Sequence, residues 1–219
     1  MTWQDLVTIG PLAAAILVAV AVLLVDLAWP GRSGPVAAVA LGGLAVVGVL
    51  TIVTGGTSAT AFGGAYSVDP LTTFLDVLFV AIIAMTIAFA PDYLRPRGLP
   101  LAEFSIVLLF AMCGAMLIAA STDLLLLFLG LELMVLPGYM LAGYHKGDAY
   151  STEGAIKYFL LGSFSSAIFL FGLAFVWGLT GSTRVEEVAT ILGGVAAGAT
   201  LLSPGLAMGL AFMTAGVAF

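Results

Sequence analysis

The chain has 219 residues, of which 62% are hydrophobic and only 8% are charged, and its formal net charge at pH 7 is −6. A soluble domain carries about 25% charged residues, so this composition excludes an ordinary water-soluble globular protein. The charges form no basic patch, which argues against a nucleic-acid-binding protein. The single cysteine, Cys113, lies inside an apolar run and excludes a disulfide framework within the chain.

Apolar runs of about 20 residues recur along the chain, and such runs are typical of membrane-spanning α-helices. They predict an all-α, polytopic transmembrane helix bundle in a single membrane domain, with six complete spans and the beginning of a seventh. The spans are predicted over 6–29, 35–54, 70–90, 101–121, 123–144 and 153–179, with a partial span over 204–219. Residues 186–202 are rich in Gly and Ala and are predicted to form a surface helix, with a re-entrant segment as the alternative.

The distribution of basic residues predicts the orientation in the membrane. Only Arg184 lies in an even-numbered loop, whereas the odd-numbered loops contain Arg32, Arg95, Arg97 and Lys146. Cytoplasmic loops carry an excess of Lys and Arg, so the odd loops are predicted in the cytoplasm and the N-terminus outside. The first ten residues, MTWQDLVTIG, lack the basic leader of a secretory signal, so the first apolar run is predicted to stay in the bilayer.

Glu132 lies at a depth from which its side chain cannot reach water along the helix. It is about ten residues from either end of the fifth predicted span, or roughly 15 Å from each interface. Exposing an ionised carboxylate there costs at least about 2.5 kcal/mol. The side chain must therefore face a cavity, find a partner or hold its proton, and each of these states suits a proton relay. The alternative is a structural acid that is hydrogen-bonded to a neighbouring helix.

Pro137 follows Glu132 in the same predicted span. Its ring removes the amide donor to residue 133 and crowds that carbonyl. Free backbone groups in a membrane are re-satisfied by water or side chains, so a hydrated kink beside the acid is a plausible station for a proton. The alternative is a kink that only shapes the helix.

Other titratable residues are secondary candidates for the same chemistry. Lys157 is the one cation inside a predicted span, and Glu153 precedes it by one helical turn, so the residues alone favour an interfacial lysine paired to Glu153. His145 borders the cytoplasmic side and can exchange protons near neutral pH, although a lone loop histidine more often has no such role. Asp76 lies about two turns into the third span.

The sequence has no Cys or His cluster, nucleotide-binding motif or catalytic triad, so it predicts no cofactor or metal site on this chain.

Two blocks of the sequence resemble the N subunit of bacterial NADH–quinone oxidoreductase, respiratory complex I. They are LFLGLELMVLPGYMLAGY at 127–144 and EGAIKYFLLGSFSSAIFLFGLAFVWGLTGST, which begins at Glu153. The resemblance covers most of the chain and is strongest over 123–184. By position it implies that Glu132 and Lys157 belong to a proton relay, which for Lys157 replaces the simpler interpretation.

The resemblance also implies the setting in which the chain works. Members of the family are antiporter-like, multi-pass subunits of the membrane arm in the bacterial inner membrane. They are thought to move protons while partner subunits, which hold NADH, FMN, iron–sulfur clusters and quinone, transfer electrons. Family members continue beyond a seventh helix, so the chain is expected to represent the N-terminal part of such a subunit.

Two other functions fit the same residues. A subunit of a multi-subunit sodium/proton antiporter would use the same acid without a redox partner. A structural membrane piece would support assembly and move nothing.

Overall fold

The computed structural model describes residues 3–56, 58–196 and 203–218. Helices α2 to α7 are long and apolar enough to cross a membrane, and α9 is a shorter apolar helix. This confirms the predicted all-α, polytopic helix bundle. The α-helices are α1 (Trp3–Thr8), α2 (Gly10–Ala28), α3 (Ser33–Thr54), α4 (Pro70–Leu94), α5 (Leu101–Ala120), α6 (Leu124–Ala142), α7 (Ala149–Thr180), α8 (Val185–Ala196) and α9 (Pro204–Ala218).

Three helices differ clearly from the predicted spans, and the first and third differ at a proline. The first span is divided at Ile9 into α1 and α2, immediately before Pro11. The third extends beyond its predicted end, because α4 continues through Pro91 and is followed by a 3-10 turn over Arg95–Arg97. Proline inside a helix removes one backbone hydrogen bond, and near the end of a span water can replace it.

The sixth helix begins earlier than predicted because the loop before it contains a capping residue. The Asp148 side chain accepts hydrogen bonds from the amides of Tyr150 and Ser151, both at 3.3 Å. Asp is a preferred N-cap because its carboxylate satisfies amides that have no partner in the first turn. Helix α7 therefore begins at Ala149 rather than at 153.

Helix α8 occupies the first part of the segment predicted as a surface helix. Residues 197–202 of that segment lie outside the described residues. Val188 of α8 is buried against Val176 of α7 and Leu206 of α9, so α8 lies along the ends of these two helices.

A β-hairpin that the sequence did not predict covers one end of the bundle. Strands β1 (Ala59–Ala61) and β2 (Tyr66–Val68) are antiparallel. The turn between them places Gly63 and Gly64 at φ of +65° and +88°, a backbone conformation that glycine adopts without steric cost. Helix α1 packs against β1, so the described N-terminal residues lie at the same end.

Backbone pairing joins the hairpin to two distant loops. Tyr66 forms an isolated bridge with Ser121, and Asp123 forms another with Arg184. The Arg184 guanidinium donates to the Gly63 carbonyl at 2.8 Å. We call this end of the bundle the hairpin face. The opposite end, formed by segments 29–32, 95–100 and 143–148, is the loop face.

The helices form two groups that differ in packing. Helices α2 to α5, here the four-helix cluster, enclose the largest buried apolar core. Helices α6, α7 and α9, here the three-helix group, are built around the extensive contact of α7 with α9. The groups meet where α5 packs on α6, with Gly114 and Gly130 facing each other across the contact.

Candidate functional site

Helix α6 places Glu132 deep in the predicted membrane. Asp123 begins the helix as its N-cap and accepts a hydrogen bond from the Leu125 amide at 2.8 Å. Glu132 lies between the helix ends Leu124 and Ala142, about 12 Å from the first and about 15 Å from the second. Its side chain is half-buried and makes no hydrogen bond or ion pair with the residues that the structure describes.

Glu132 lines a cleft between α6, α7 and α9, which we call the Glu132 cleft. Its volume is about 140 Å³, and a cavity needs roughly 15 Å³ on the same scale to hold one water molecule, so the cleft has room for several. Tyr139, Tyr158, Ser165 and Ser166 add hydroxyl groups to a lining that is otherwise mostly apolar. The Ser165 hydroxyl donates to the Gly216 carbonyl, which ties α7 to α9 beside the cleft.

Tyr139 is, with Ser165, one of two buried polar residues of this cleft. It lies two turns after Glu132, and a spacing of seven residues puts both on one face of the helix. Its side chain is 7% exposed, and its hydroxyl has no hydrogen-bond partner among the described residues. The rings of Tyr158 and Phe159 meet the Tyr139 ring edge-on, with centroids 4.8 Å and 5.5 Å away. A side chain at Gly162 would overlap the phenol, so this glycine makes the room that Tyr139 fills.

Tyr139 also borders a second cleft, between α5 and α6 near the loop face. This α5–α6 cleft is lined by Glu103, Tyr144 and Lys146 as well as by Tyr139. The Tyr144 hydroxyl donates to the Pro100 carbonyl. Burial, and then the nearby Glu103 carboxylate, raise the pKa of Tyr144 to about 12. Tyr139 therefore lies between the Glu132 cleft and a second, mostly apolar cleft that reaches the loop face and has charged residues in its lining.

Helix α6 continues through Pro137, which is buried, as far as Ala142. Pro137 has no amide to donate to the Leu133 carbonyl. This backbone acceptor lies one residue after Glu132, on the turn of α6 that carries the acid.

Lys157 and His145 do not line the Glu132 cleft. Lys157 forms an ion pair with Glu153 on the outer side of α7, and the two side chains are 69% and 58% exposed. The structure therefore does not pair Lys157 with Glu132. His145 is exposed in the loop after α6, where its carbonyl accepts a hydrogen bond from the Asp148 amide at 2.9 Å.

Asp76 lies in the four-helix cluster, away from the Glu132 cleft. It is 3% exposed, and its Oδ1 atom has no hydrogen-bond partner among the described residues. Among all the residues that the structure describes, no group of three His, Cys, Asp or Glu side chains is close enough together to hold a metal ion.

The sequence interpretation missed the hydroxyl groups of the Glu132 cleft. The seven-residue spacing from Glu132 to Tyr139 was the one available signal, because it places both on one helix face. Ser165 and Ser166 carry no comparable signal. The contact of Gly162 with the Tyr139 ring is between residues of two different helices. No pattern in the sequence of either helix predicts it.

A family model described as "NADH:quinone oxidoreductase/Mrp antiporter, TM" matches residues 121–219. Subunit N of NADH-quinone oxidoreductase from Moorella thermoacetica is 41% identical over 173 residues, which are 75% of this chain and 35% of that relative. The chain thus spans about a third of the length of this curated relative.

Solved structures show the same likeness. A chain of respiratory complex I from Thermus thermophilus with bound aureothin has a TM-score of 0.75 and 29% identity, over 95% of this chain and 43% of that one. A chain of the Mrp complex from Dietzia sp. also has a TM-score of 0.75, over 100% of this chain and 41% of that one. Because the two sequences are only 19% identical, this likeness shows a shared fold and nothing more. Residues 121–219 therefore match the family of antiporter-like membrane subunits of NADH:quinone oxidoreductases and Mrp antiporters, and the chain as a whole is similar to the N subunits of bacterial NADH-quinone oxidoreductase.

Proposed function

We infer that this chain serves in a proton-translocating membrane subunit of a bacterial NADH–quinone oxidoreductase, and that Glu132 binds and releases protons inside the membrane. The observation that carries the inference is a mid-helix carboxylate that opens on a cleft large enough for water. The likeness to N subunits supports the redox partner. NADH, FMN, iron–sulfur clusters and quinone belong to partner subunits, and this chain contributes the movement of charge.

The Glu132 cleft supplies what a titrating carboxyl needs in an apolar medium. An ionised carboxylate without water or a hydrogen-bond donor is costly to bury. Water in the cleft, together with the hydroxyls of Ser166 and Tyr139, can stabilise the carboxylate after its proton leaves. Loss and gain of a proton at Glu132 then require no rearrangement of the helices.

Tyr139 connects Glu132 to the loop face in this proposal. A phenol can accept one hydrogen bond while it donates another, and Tyr139 borders both the Glu132 cleft and the α5–α6 cleft. A proton that reaches the α5–α6 cleft, with Glu103 at its wall, can pass along water and the Tyr139 hydroxyl toward Glu132.

Lys157 acts as the second charge of the relay. In this structure Glu153 neutralises it. Opening of that pair would leave a positive charge on the helix flank next to Tyr158, which lines the Glu132 cleft, and a nearby positive charge stabilises a carboxylate. The state of the Lys157–Glu153 pair can thereby bias whether Glu132 holds its proton.

We place the chain as a multi-pass protein in the bacterial inner membrane, with the loop face toward the cytoplasm and the N-terminus outside. The loop-face segments contain most of the basic residues, as the positive-inside rule requires. The exception, Arg184, is held at the hairpin face by the Gly63 carbonyl and lies 3.8 Å from the Glu187 carboxylate.

The test is the substitution Glu132→Gln in the membrane complex that contains this chain. Glutamine keeps the shape of the side chain but cannot bind or release a proton. NADH-driven acidification of inverted membrane vesicles should fall by about tenfold or more, because a proton-transfer group at one step is lost. Co-purification of the redox subunits with the variant chain, at the yield of the parent, should show that the complex is assembled. Glu186→Gln, on the exposed first turn of α8, is the matched control and should pump normally.

Other outcomes would assign other functions. Full pumping by Glu132→Gln would remove the role proposed for Glu132, and loss of assembly on deletion of the chain would then indicate a structural piece. Sodium-dependent proton exchange without NADH, abolished by Glu132→Gln, would identify an antiporter subunit instead.

A further inference from the structure

Asp76 presents a buried carboxyl that the proposed relay does not use. It lies six residues after the first residue of α4, about 9 Å along the helix from Pro70 at the hairpin face. The side chain is 3% exposed, and Oδ1 is buried without a hydrogen-bond partner among the described residues. A carboxylate ion so placed lacks the donors that a buried charge requires, whereas a protonated carboxyl meets a much smaller penalty.

A column of polar groups on one face of α4 leads from the hairpin face to Asp76. Asp69, the N-cap of α4, is exposed, and Thr72 and Asp76 follow it at three and seven residues, on the same side of the helix. The Thr72 hydroxyl donates to the Asp69 carboxylate at 2.9 Å. Thr72 is itself 3% exposed, so the column passes from solvent at Asp69 into the core within two turns. We call these three residues the α4 polar column.

Hydrogen bonds from Thr72 keep Asp69, the outer residue of the α4 polar column, ionised. The Thr72 amide donates to Asp69 at 2.7 Å, and this bond, followed by that of the Thr72 hydroxyl, lowers the pKa of Asp69. Asp69 is therefore an anion at neutral pH. Its negative charge attracts protons at the surface. Its neighbour, the Thr72 hydroxyl, can both accept and donate a hydrogen bond.

Few other titratable groups lie on the elements that pack against α4. Helix α3 has none. The facing part of α5 contributes Cys113, while Glu103 lies near its other end. Strand β2 contributes Tyr66, whose pKa is raised by burial and then by the charge of Asp76, so the two side chains lie within electrostatic reach. On α4 itself, Asp92 lies at the far end. The basic residues that follow, Arg95 and Arg97, lie at the loop face.

We propose that Asp76 is a second proton-binding site of this chain, filled from the hairpin face through the α4 polar column. It lies in the four-helix cluster and is separate from the Glu132 cleft. A proton that binds Asp69 reverses its hydrogen bond with Thr72, so that Asp69 now donates to the hydroxyl oxygen. The hydroxyl's own hydrogen then turns toward Asp76, one helical turn deeper, and passes to that carboxylate while Thr72 takes up the proton of Asp69. The ligand is a proton alone, so no bond other than O–H is made or broken. The site extends the proposed function, but its first test does not depend on pumping.

The test is infrared difference spectroscopy of the purified membrane complex in normal and heavy water. A protonated carboxyl gives a carbonyl-stretch band that an ionised one lacks. Asp76→Asn should remove one such band, and Asp92→Asn, an exposed acid on the same helix, should leave it. Thr72→Val should slow the hydrogen–deuterium exchange of the Asp76 band by roughly a hundredfold, the lower range for loss of a positioned proton donor. Thr72→Ser, which keeps the hydroxyl, should restore the rate.

Two matched variants decide the route. Thr73→Val removes a neighbouring hydroxyl that bonds the Asp69 carbonyl instead of its carboxylate and should leave the exchange rate unchanged. Slow exchange in Tyr66→Phe with normal exchange in Thr72→Val would overturn the α4 polar column as the route. A spectrum that Asp76→Asn leaves intact would overturn the proton-binding site itself. Either result can be obtained whether or not Glu132→Gln abolishes pumping, so failure of this site and failure of the proposed function remain distinct.

Discussion

The four-helix cluster and the three-helix group use the same apolar composition to build different interiors. The difference is largest where the groups meet, since half of the residues in the span of α5 are buried, against 17% in the span of α6, while the other spans of both groups have 22% to 28%. The cluster buries Asp76, because α4 packs on α3 and α5. The group leaves Glu132 facing an open cleft between α6, α7 and α9. The depth of an acid in the membrane therefore does not determine its environment, since close packing and open packing occur side by side in one chain.

Glycines account for part of this difference. At the contact of α5 with α6, a Cβ atom at Gly114 would lie 2.5 Å from the Met134 amide nitrogen, so the helix backbones touch. Inside the three-helix group, Gly162 instead faces the ring of Tyr139. One glycine brings two backbones together, as small residues do at membrane helix contacts, and the other makes room for a polar side chain.

The largest effect is expected where the two groups meet. Gly114→Ala should destabilise the protein by about 3 kcal/mol, because the added methyl meets the backbone of α6 and cannot be accommodated by a change of rotamer. The free energy of unfolding in detergent micelles, measured by titration with a denaturing detergent, checks this. The loss should be accompanied by separation of the two helix groups, visible as new protease sensitivity in the loop between α5 and α6.

Gly42→Ala provides the control on α3. A Cβ atom there meets no other atom within 4 Å, and alanine favours a helix over glycine by about 1 kcal/mol. This variant should be as stable as the parent or more so. Equal stability of Gly114→Ala and the parent would show that the α5–α6 contact is not close-packed, and the contrast between the two groups would fail.

The sequence predicts the helices well and their connections poorly. Six spans follow from apolar runs alone, since a helix in lipid satisfies its own backbone. The strands of the hairpin have three residues each and lie in a Gly-rich loop, below the four to eight residues that mark a strand in a sequence. Pro91 was interpreted as the end of a helix, but α4 continues through it for another turn.

For the candidate site, features that lie along one helix can be predicted from the sequence, and features that depend on the packing between helices cannot. The depth of Glu132 can be counted from the sequence, and its role stays a prediction. The ion pair of Lys157 with Glu153 has a local spacing and is present in the structure. The burial of Asp76 and the unpartnered hydroxyl of Tyr139 depend on which helix lies opposite. No spacing along one helix contains that information.

The second prediction concerns the open interior. Tyr139→Phe should change the free energy of unfolding by no more than about 1 kcal/mol, because it removes a hydroxyl that has no partner among the described residues and keeps the ring against Gly162. It should also slow NADH-driven proton pumping, since the hydroxyl between the two clefts is lost. Stability in micelles and pumping in vesicles are measured on the same variant.

Nearly unchanged stability together with a loss of pumping is a combination that a purely structural tyrosine would not produce. Tyr150→Phe, at an 84% exposed position in the first turn of α7, should change neither quantity. Normal pumping by Tyr139→Phe would remove this hydroxyl from the route between the two clefts.

The smallest effect is expected at the loop face. There the hydroxyl of Tyr144, in the loop after α6, donates a hydrogen bond to the carbonyl of Pro100, the residue before α5. Tyr144→Phe should cost about 1 kcal/mol at neutral pH through loss of that hydrogen bond. The cost should shrink at alkaline pH. The pKa of Tyr144 is raised to about 12 in the folded protein, against about 10 for an unfolded tyrosine. The stability due to its proton is therefore complete below pH 10 and is lost as the pH rises to about 12.

The parent should accordingly lose stability faster than Tyr144→Phe between pH 10 and 12, so that the two unfolding curves approach each other. Tyr66, whose pKa is also raised, is present in both proteins and cancels in this comparison. A difference that stays constant over this range would mean that Tyr144 titrates as it does in water. The α5–α6 cleft would then be open to solvent at the loop face, and the contact between the two helix groups would be close-packed only around Gly114.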